Sequence, residues 1–152
     1  MNPSVGTTIL PAPLGHINVH IRDGSVLLLH SNPAYTTEET RQGPYSLLVS
    51  LDSQSFAYGS AYIDDGISSP PGSNRTLSFM ATHNQLVVNN MGTFTIEQKL
   101  QEITVLGLKE HTESLTLNSA QVVNFTYDVA RQKLVVQALD ADLNQPLLFT
   151  WQ

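Results

Sequence analysis

Along most of this chain apolar and polar residues alternate with the period of two that a half-buried strand requires. Ile17, Val19 and Ile21 fall on one side while Asn18, His20 and Arg22 fall on the other, so residues 17–22 read as a strand. Asp23-Gly24 supplies a turn able to hold positive φ, and the apolar run at 25–30 makes a hairpin the economical expectation. Residues 45–51 and 56–63 form a second candidate hairpin around Asp52-Ser53-Gln54-Ser55. Between these pairs, residues 31–44 are polar and carry Asn32-Pro33, Thr36-Thr37 and Gly43-Pro44, which favour loop over helix.

The β pattern is interrupted at residues 67–74, where two prolines, a glycine and three serines offer neither core nor ladder donors. Beyond that break come short runs at 76–82, 85–89, 93–97, 102–108, 114–117, 121–127, 133–138 and 146–151. They are rich in Val, Ile, Leu, Thr and Phe and separated by turn residues, the spacing of an antiparallel sandwich. Residues 96–102 have the composition of one helical turn, but strand is preferred there. The expected fold is all-β, as two small antiparallel β-sandwich-like units: residues 1–66, a linker at 67–75, and residues 76–152.

Composition narrows the function. A chain of 152 residues with 41% apolar content can bury a core. Seven Lys and Arg against 13 Asp and Glu leave a net charge of −6, a field that repels polyanions, so no nucleic-acid partner is expected. With no cysteine, disulfides, thiolate metal sites and thiol catalysis are excluded. The longest apolar runs fall far short of the roughly 20 residues that cross a bilayer, so no membrane span is expected. Met1-Asn2-Pro3-Ser4 lacks the basic start and apolar stretch of a secretion signal and looks like a cut end, with any signal in a longer precursor.

Candidate chemistry is sparse. Acid–base chemistry by paired carboxylates needs two such groups facing one another across a site. Asp64 and Asp65 are consecutive, so they face opposite sides of a strand or cap a turn, and Asp140 and Asp142 lie in a surface-turn sequence. No catalytic residue is assigned. The Asp64-Asp65-Gly66 turn has hard oxygens, but calcium takes six to eight, and the neighbours spell no calcium loop. His16 and His20 would stand about 13 Å apart on a strand, too far to share a metal. No metal and no cofactor are expected. Asn74-Arg75-Thr76 and Asn124-Phe125-Thr126 are sequons, making Asn74 and Asn124 candidate glycosylation sites. Tyr35, in the polar loop, is the aromatic singled out for carbohydrate contact.

Two stretches carry a family resemblance: Leu10-Pro11-Ala12-Pro13-Leu14-Gly15-His16-Ile17-Asn18-Val19-His20-Ile21-Arg22, continuing through Pro33-Ala34-Tyr35-Thr36-Thr37-Glu38-Glu39-Thr40-Arg41-Gln42, and Tyr62-Ile63-Asp64-Asp65-Gly66. This text resembles the C-terminal region of glycoside hydrolase family 31, the α-glucosidases of the lysosomal and maltase type. The resemblance is dense over 10–42, fair around Asp64, and thin at 103–107 and 147–151. Family members usually place an aromatic before the two aspartates and an acid after the glycine, where this chain has Ile63 and Ile67. The resemblance implies a proximal and a distal β-sandwich, the proximal one lacking its first strands and so leaving unpaired edges and apolar surface on residues 1–66. It implies that the catalytic aspartates belong to an upstream (β/α)8 barrel, whose motifs have no counterpart here. The implied role is a non-catalytic C-terminal portion or subunit of a retaining α-glucosidase acting on maltose-like α-1,4-glucosides. Its partners would be the catalytic barrel segment and α-glucan or maltooligosaccharide, and Arg22 would meet a barrel carboxylate. A secreted or lysosomal/vacuolar location follows from such a parent. The competing reading is a free-standing carbohydrate-binding or structural β-sandwich module.

Overall fold

The computed structural model describes residues 9–70 and 72–152. In chain order the elements are β1 (Ser25–His30), α1 (Thr37–Gln42), β2 (Tyr45–Ser50), β3 (Phe56–Ile63), β4 (Arg75–Thr82), β5 (Gln85–Gly92), β6 (Leu100–Leu106), β7 (Leu115–Leu117), β8 (Ala120–Val122), β9 (Phe125–Asp128), β10 (Lys133–Val136) and β11 (Leu147–Trp151). The strands form one sheet in the order β8-β7-β11-β5-β4-β3-β1-β2-β6-β10-β9. The all-β expectation holds.

Period-two alternation puts Leu77, Phe79 and Ala81 of β4, Leu86 and Val88 of β5, and Leu47 and Val49 of β2 on the inner face, all essentially inaccessible to water. Ile103 and Val105 of β6, Leu134 of β10, Leu115 of β7 and Phe149 of β11 join the same cluster, so the sheet wraps around a single core. Each such aromatic or branched side chain contributes about 1.5 to 3 kcal/mol by leaving water. The segment expected to divide the chain connects β3 and β4, which pair antiparallel along their whole length, from Phe56↔Thr82 to Ile63↔Arg75. A second seam joins the halves where β2 pairs parallel with β6.

Several local expectations are corrected. Residues 17–22 form no strand, and Ile17 and Val19 stand 86% and 79% exposed. The hairpin has nowhere to form, because β1 pairs antiparallel with β2 on one edge and parallel with β3 on the other. For the same reason β2 and β3 do not pair with each other: β1 lies between them. Asp52 still shapes the expected turn, its Oδ1 accepting from the backbone N–H groups of Gln54 and Phe56 at 2.8 and 2.9 Å. Residues 93–97 are irregular, 121–127 is divided between β8 and β9, and the loop at 31–44 contains α1.

Close approach explains Gly59. β1 and β3 pack so tightly that a Cβ on Gly59 would lie 2.1 Å from the Val26 carbonyl oxygen.

Candidate functional site

The two stretches that carried the resemblance meet in space, and α1 is what brings them together. Thr36 caps the helix by accepting from the Glu39 N–H at 3.2 Å. The Thr40 hydroxyl donates to the Thr36 carbonyl at 2.9 Å and accepts from the Ala34 N–H at 3.2 Å, tying the helix to the preceding loop. Glu38 and Glu39 in the first turn and Arg41 in the last complement the helix dipole. Six residues cannot sustain a helix alone, so the cap and the tertiary contact of Arg41 carry it.

Arg41 reaches the turn that follows β3. Its Nη2 donates to the Asp64 carbonyl at 2.8 Å and lies 3.7 Å from the Asp64 carboxylate. Asp64 Oδ1 accepts from the Gly66 N–H at 2.8 Å, and Asp65 Oδ1 accepts from the Ile67 and Ser68 N–H groups at 3.0 Å each. The Ser68 hydroxyl donates to Asp65 Oδ2. Chiefly through that hydroxyl, then the two N–H groups, the Asp65 carboxyl is pulled down to about 2. Gly66 holds φ +68, and a Cβ there would fall 1.3 Å from Arg41 Nη1, so the guanidinium lies directly over the glycine.

Beside this clamp is an open depression of about 420 Å³, lined by Glu38, Arg41, Tyr45, Ile63, Asp65 and Phe94 among others. Burial pushes the Tyr45 phenol up against the opposing pull of the Arg41 charge, and its ring packs 4.8 Å from that of His30.

This arrangement is built to hold a turn. Both aspartates are engaged as acceptors, Asp64 by Arg41 and a backbone N–H and Asp65 by three donors, so their oxygens are committed to holding the turn. Asp142 is committed in the same way: its Oδ1 accepts from the Asn144 backbone and amide, and Lys99 lies 3.5 Å away. Those contacts, led by the Asn144 N–H, hold its carboxyl below the usual range. Among the described residues no three His, Cys, Asp or Glu side chains come together as metal ligands. No helix among them is long and apolar enough to cross a membrane.

The remaining sequence candidates are scattered. Tyr35 projects fully into solvent one residue before the helix cap. Asn124 is exposed between β8 and β9, whereas Asn74 is half-buried and its carbonyl accepts from Thr93 and Phe94. His16, His20 and Arg22 are exposed. Two polar anchors were missed. Arg41 was legible, since Thr36-Thr37-Glu38-Glu39 is a capping-box spacing that predicts a helix start. Asn144, which exchanges hydrogen bonds with the Ile96 N–H (2.9 Å) and C=O (2.7 Å), joins segments 48 residues apart and left no local signal.

No protein-family profile matches the chain. Individual relatives do. An α-glucosidase of Schizosaccharomyces pombe is 41% identical over 130 residues, 86% of this chain but 13% of its own length. A family 31 glucosidase of the same yeast is 39% identical over 132 residues, and an α-glucosidase of Aspergillus niger 39% identical over 139 residues, 90% of this chain and 14% of its own. Among solved structures, the glucosidase II alpha subunit superposes on 87% of this chain and 17% of its own with a TM-score of 0.72 at 18% identity, a likeness of fold. The chain thus spans about one eighth of the curated relatives it matches. Identity near 40% over most of its length places it in glycoside hydrolase family 31, as the counterpart of the C-terminal β region of the α-glucosidases.

Proposed function

We propose that this chain is a non-catalytic accessory portion of a retaining α-glucosidase, one that packs on and stabilises a barrel bearing the catalytic carboxylates. The observation that carries the reading is the coverage: 86% of this chain aligns with 13% of an α-glucosidase at 41% identity. The engagement of Asp64 and Asp65 in a clamped turn supports it, because carboxylates held by several donors are poor general acids. Maltose-like α-1,4-glucosides are the substrate class of the whole enzyme under this proposal, and a secretory or lysosome-like route accords with the exposed sequon at Asn124.

The test is glucose release. The purified chain should leave a chromogenic α-glucoside intact, while a relative deleted of its matching segment should lose soluble, active enzyme and recover it when this chain is restored in cis. Hydrolysis by the isolated chain, with contaminating enzyme excluded, would overturn the proposal.

A further inference from the structure

The outward face of β1, β3, β4, β5 and β11 carries serine, threonine, asparagine, glutamine and apolar residues, and none of the chain's Asp, Glu, Lys or Arg. Across it runs a continuous row set by strand register: Tyr58 opposes Met80, Met80 opposes Val87, and Val87 opposes Leu148. Ser25 lies beside Tyr58, which brings the outward Leu27 and Leu29 of β1 alongside the same patch. These side chains are wet: Tyr58 is 65% exposed, Tyr62 55% and Met80 47%.

Single exposed apolar residues on a sheet need no explanation, but a five-strand face of them without a charge does. The centre of a protein interface has this composition, with Tyr and Met enriched and charge depleted. In a chain of net charge −6, the charged side chains are carried elsewhere. The relatives supply the occupant, since about seven eighths of their polypeptide lies outside the matched segment.

We propose that this uncharged face is the surface on which the remaining, barrel-bearing part of a family 31 polypeptide docks, covering the Tyr58, Met80, Val87 and Leu148 row. The inference rests on the accessory reading above and adds the face. The rings stand on β3 alone, flanked by Leu27 and Leu29 on one side and by Met80, Val87 and Leu148 on the other, which fits a protein surface better than a glycan platform, where planar rings dominate.

The experiment pairs the 152-residue chain with the S. pombe α-glucosidase polypeptide deleted of its matching segment, the two co-expressed and the chain captured by a tag. Three single variants are compared: Tyr58→Lys, Met80→Glu, and Val129→Glu in the exposed turn between β9 and β10. Circular dichroism and melting of the isolated chains verify that each folds. The wild-type chain and Val129→Glu should capture the truncated enzyme, and the two face variants should bind at least about tenfold more weakly, because each buries an unpaired charge. If the folded face variants capture as well as wild type, the face is wrong while the accessory reading stands. Co-expression with the wild-type chain should also return the truncated enzyme to the soluble fraction, and soluble truncated enzyme that the wild-type chain does not capture, or a truncated enzyme it does not return to solution, overturns both. Loss in the face variants of a homodimer, or of co-sedimentation with starch, in place of enzyme capture would assign the face to a second copy or to glucan and overturn the docking proposal.

Discussion

Replacing Gly66 by alanine tests whether the Arg41 clamp and the Asp64-Asp65-Gly66 turn act as one unit. Two costs are expected. A Cβ at φ +68 is strained by about 1 to 2 kcal/mol. The same Cβ would occupy the place of Arg41 Nη1, displacing the guanidinium from the Asp64 carbonyl and carboxylate. That contact is partly exposed, so solvent discounts it to about 1 kcal/mol. Arg41→Ala alone should therefore cost about 1 kcal/mol and Gly66→Ala between 2 and 3 by these estimates. Once Arg41 is gone the added methyl displaces nothing, so the double variant should be no less stable than Gly66→Ala. The coupling is about 1 kcal/mol, well above the few tenths expected of independent sites. Urea unfolding can be followed by Trp151, the only tryptophan, which is buried and donates its indole N–H to the His83 carbonyl at 3.2 Å. Additive losses would refute the reasoning, since they would mean the guanidinium steps aside and rebuilds its contacts.

Three further outcomes are expected. The folded Asp65 carboxyl lies at about 2, below the unfolded range near 4. Its contribution is thus complete above that range and lost as pH falls toward 2; the stability difference between wild type and Asp65→Asn should shrink over this window, and Ser68→Ala should raise the carboxyl's NMR titration midpoint. Gly59→Ala should cost about 1 to 3 kcal/mol or more in urea unfolding, since the methyl drives β3 from β1 at the Val26 carbonyl; an unchanged midpoint would show that the strands are not held so closely. Asn144→Ala should cost about 1 to 3 kcal/mol, because it strips both backbone partners from the buried Ile96, and amide exchange at Ile96 should accelerate.

Legibility in the sequence followed the range of the interaction. The runs that became β4, β5, β6 and β11 were readable because each buries one face, and alternation of Leu77, Phe79 and Ala81 records that burial directly. The motif around Asp64 was readable as a turn, since Asp and Gly satisfy and permit it locally. Alternation failed at residues 17–22, where the pattern marks a residue able to lie in a sheet but cannot supply a neighbour with free backbone groups. The short helix was hidden by a polar composition whose only cue was the spacing of Thr36 and Glu39.

The all-β class, the turn chemistry and most of the strands, though not residues 17–22 or 93–97, were legible in the sequence alone, because they depend on side-chain period and on residues a few positions apart. Strand partners were decided only in the folded chain: β1 entered between β2 and β3, and β6 closed on β2, because pairing depends on which edges remain free and which faces can share one core. The same tertiary step carried Arg41 to Asp64 across 23 residues, joining two motifs that the sequence shows apart.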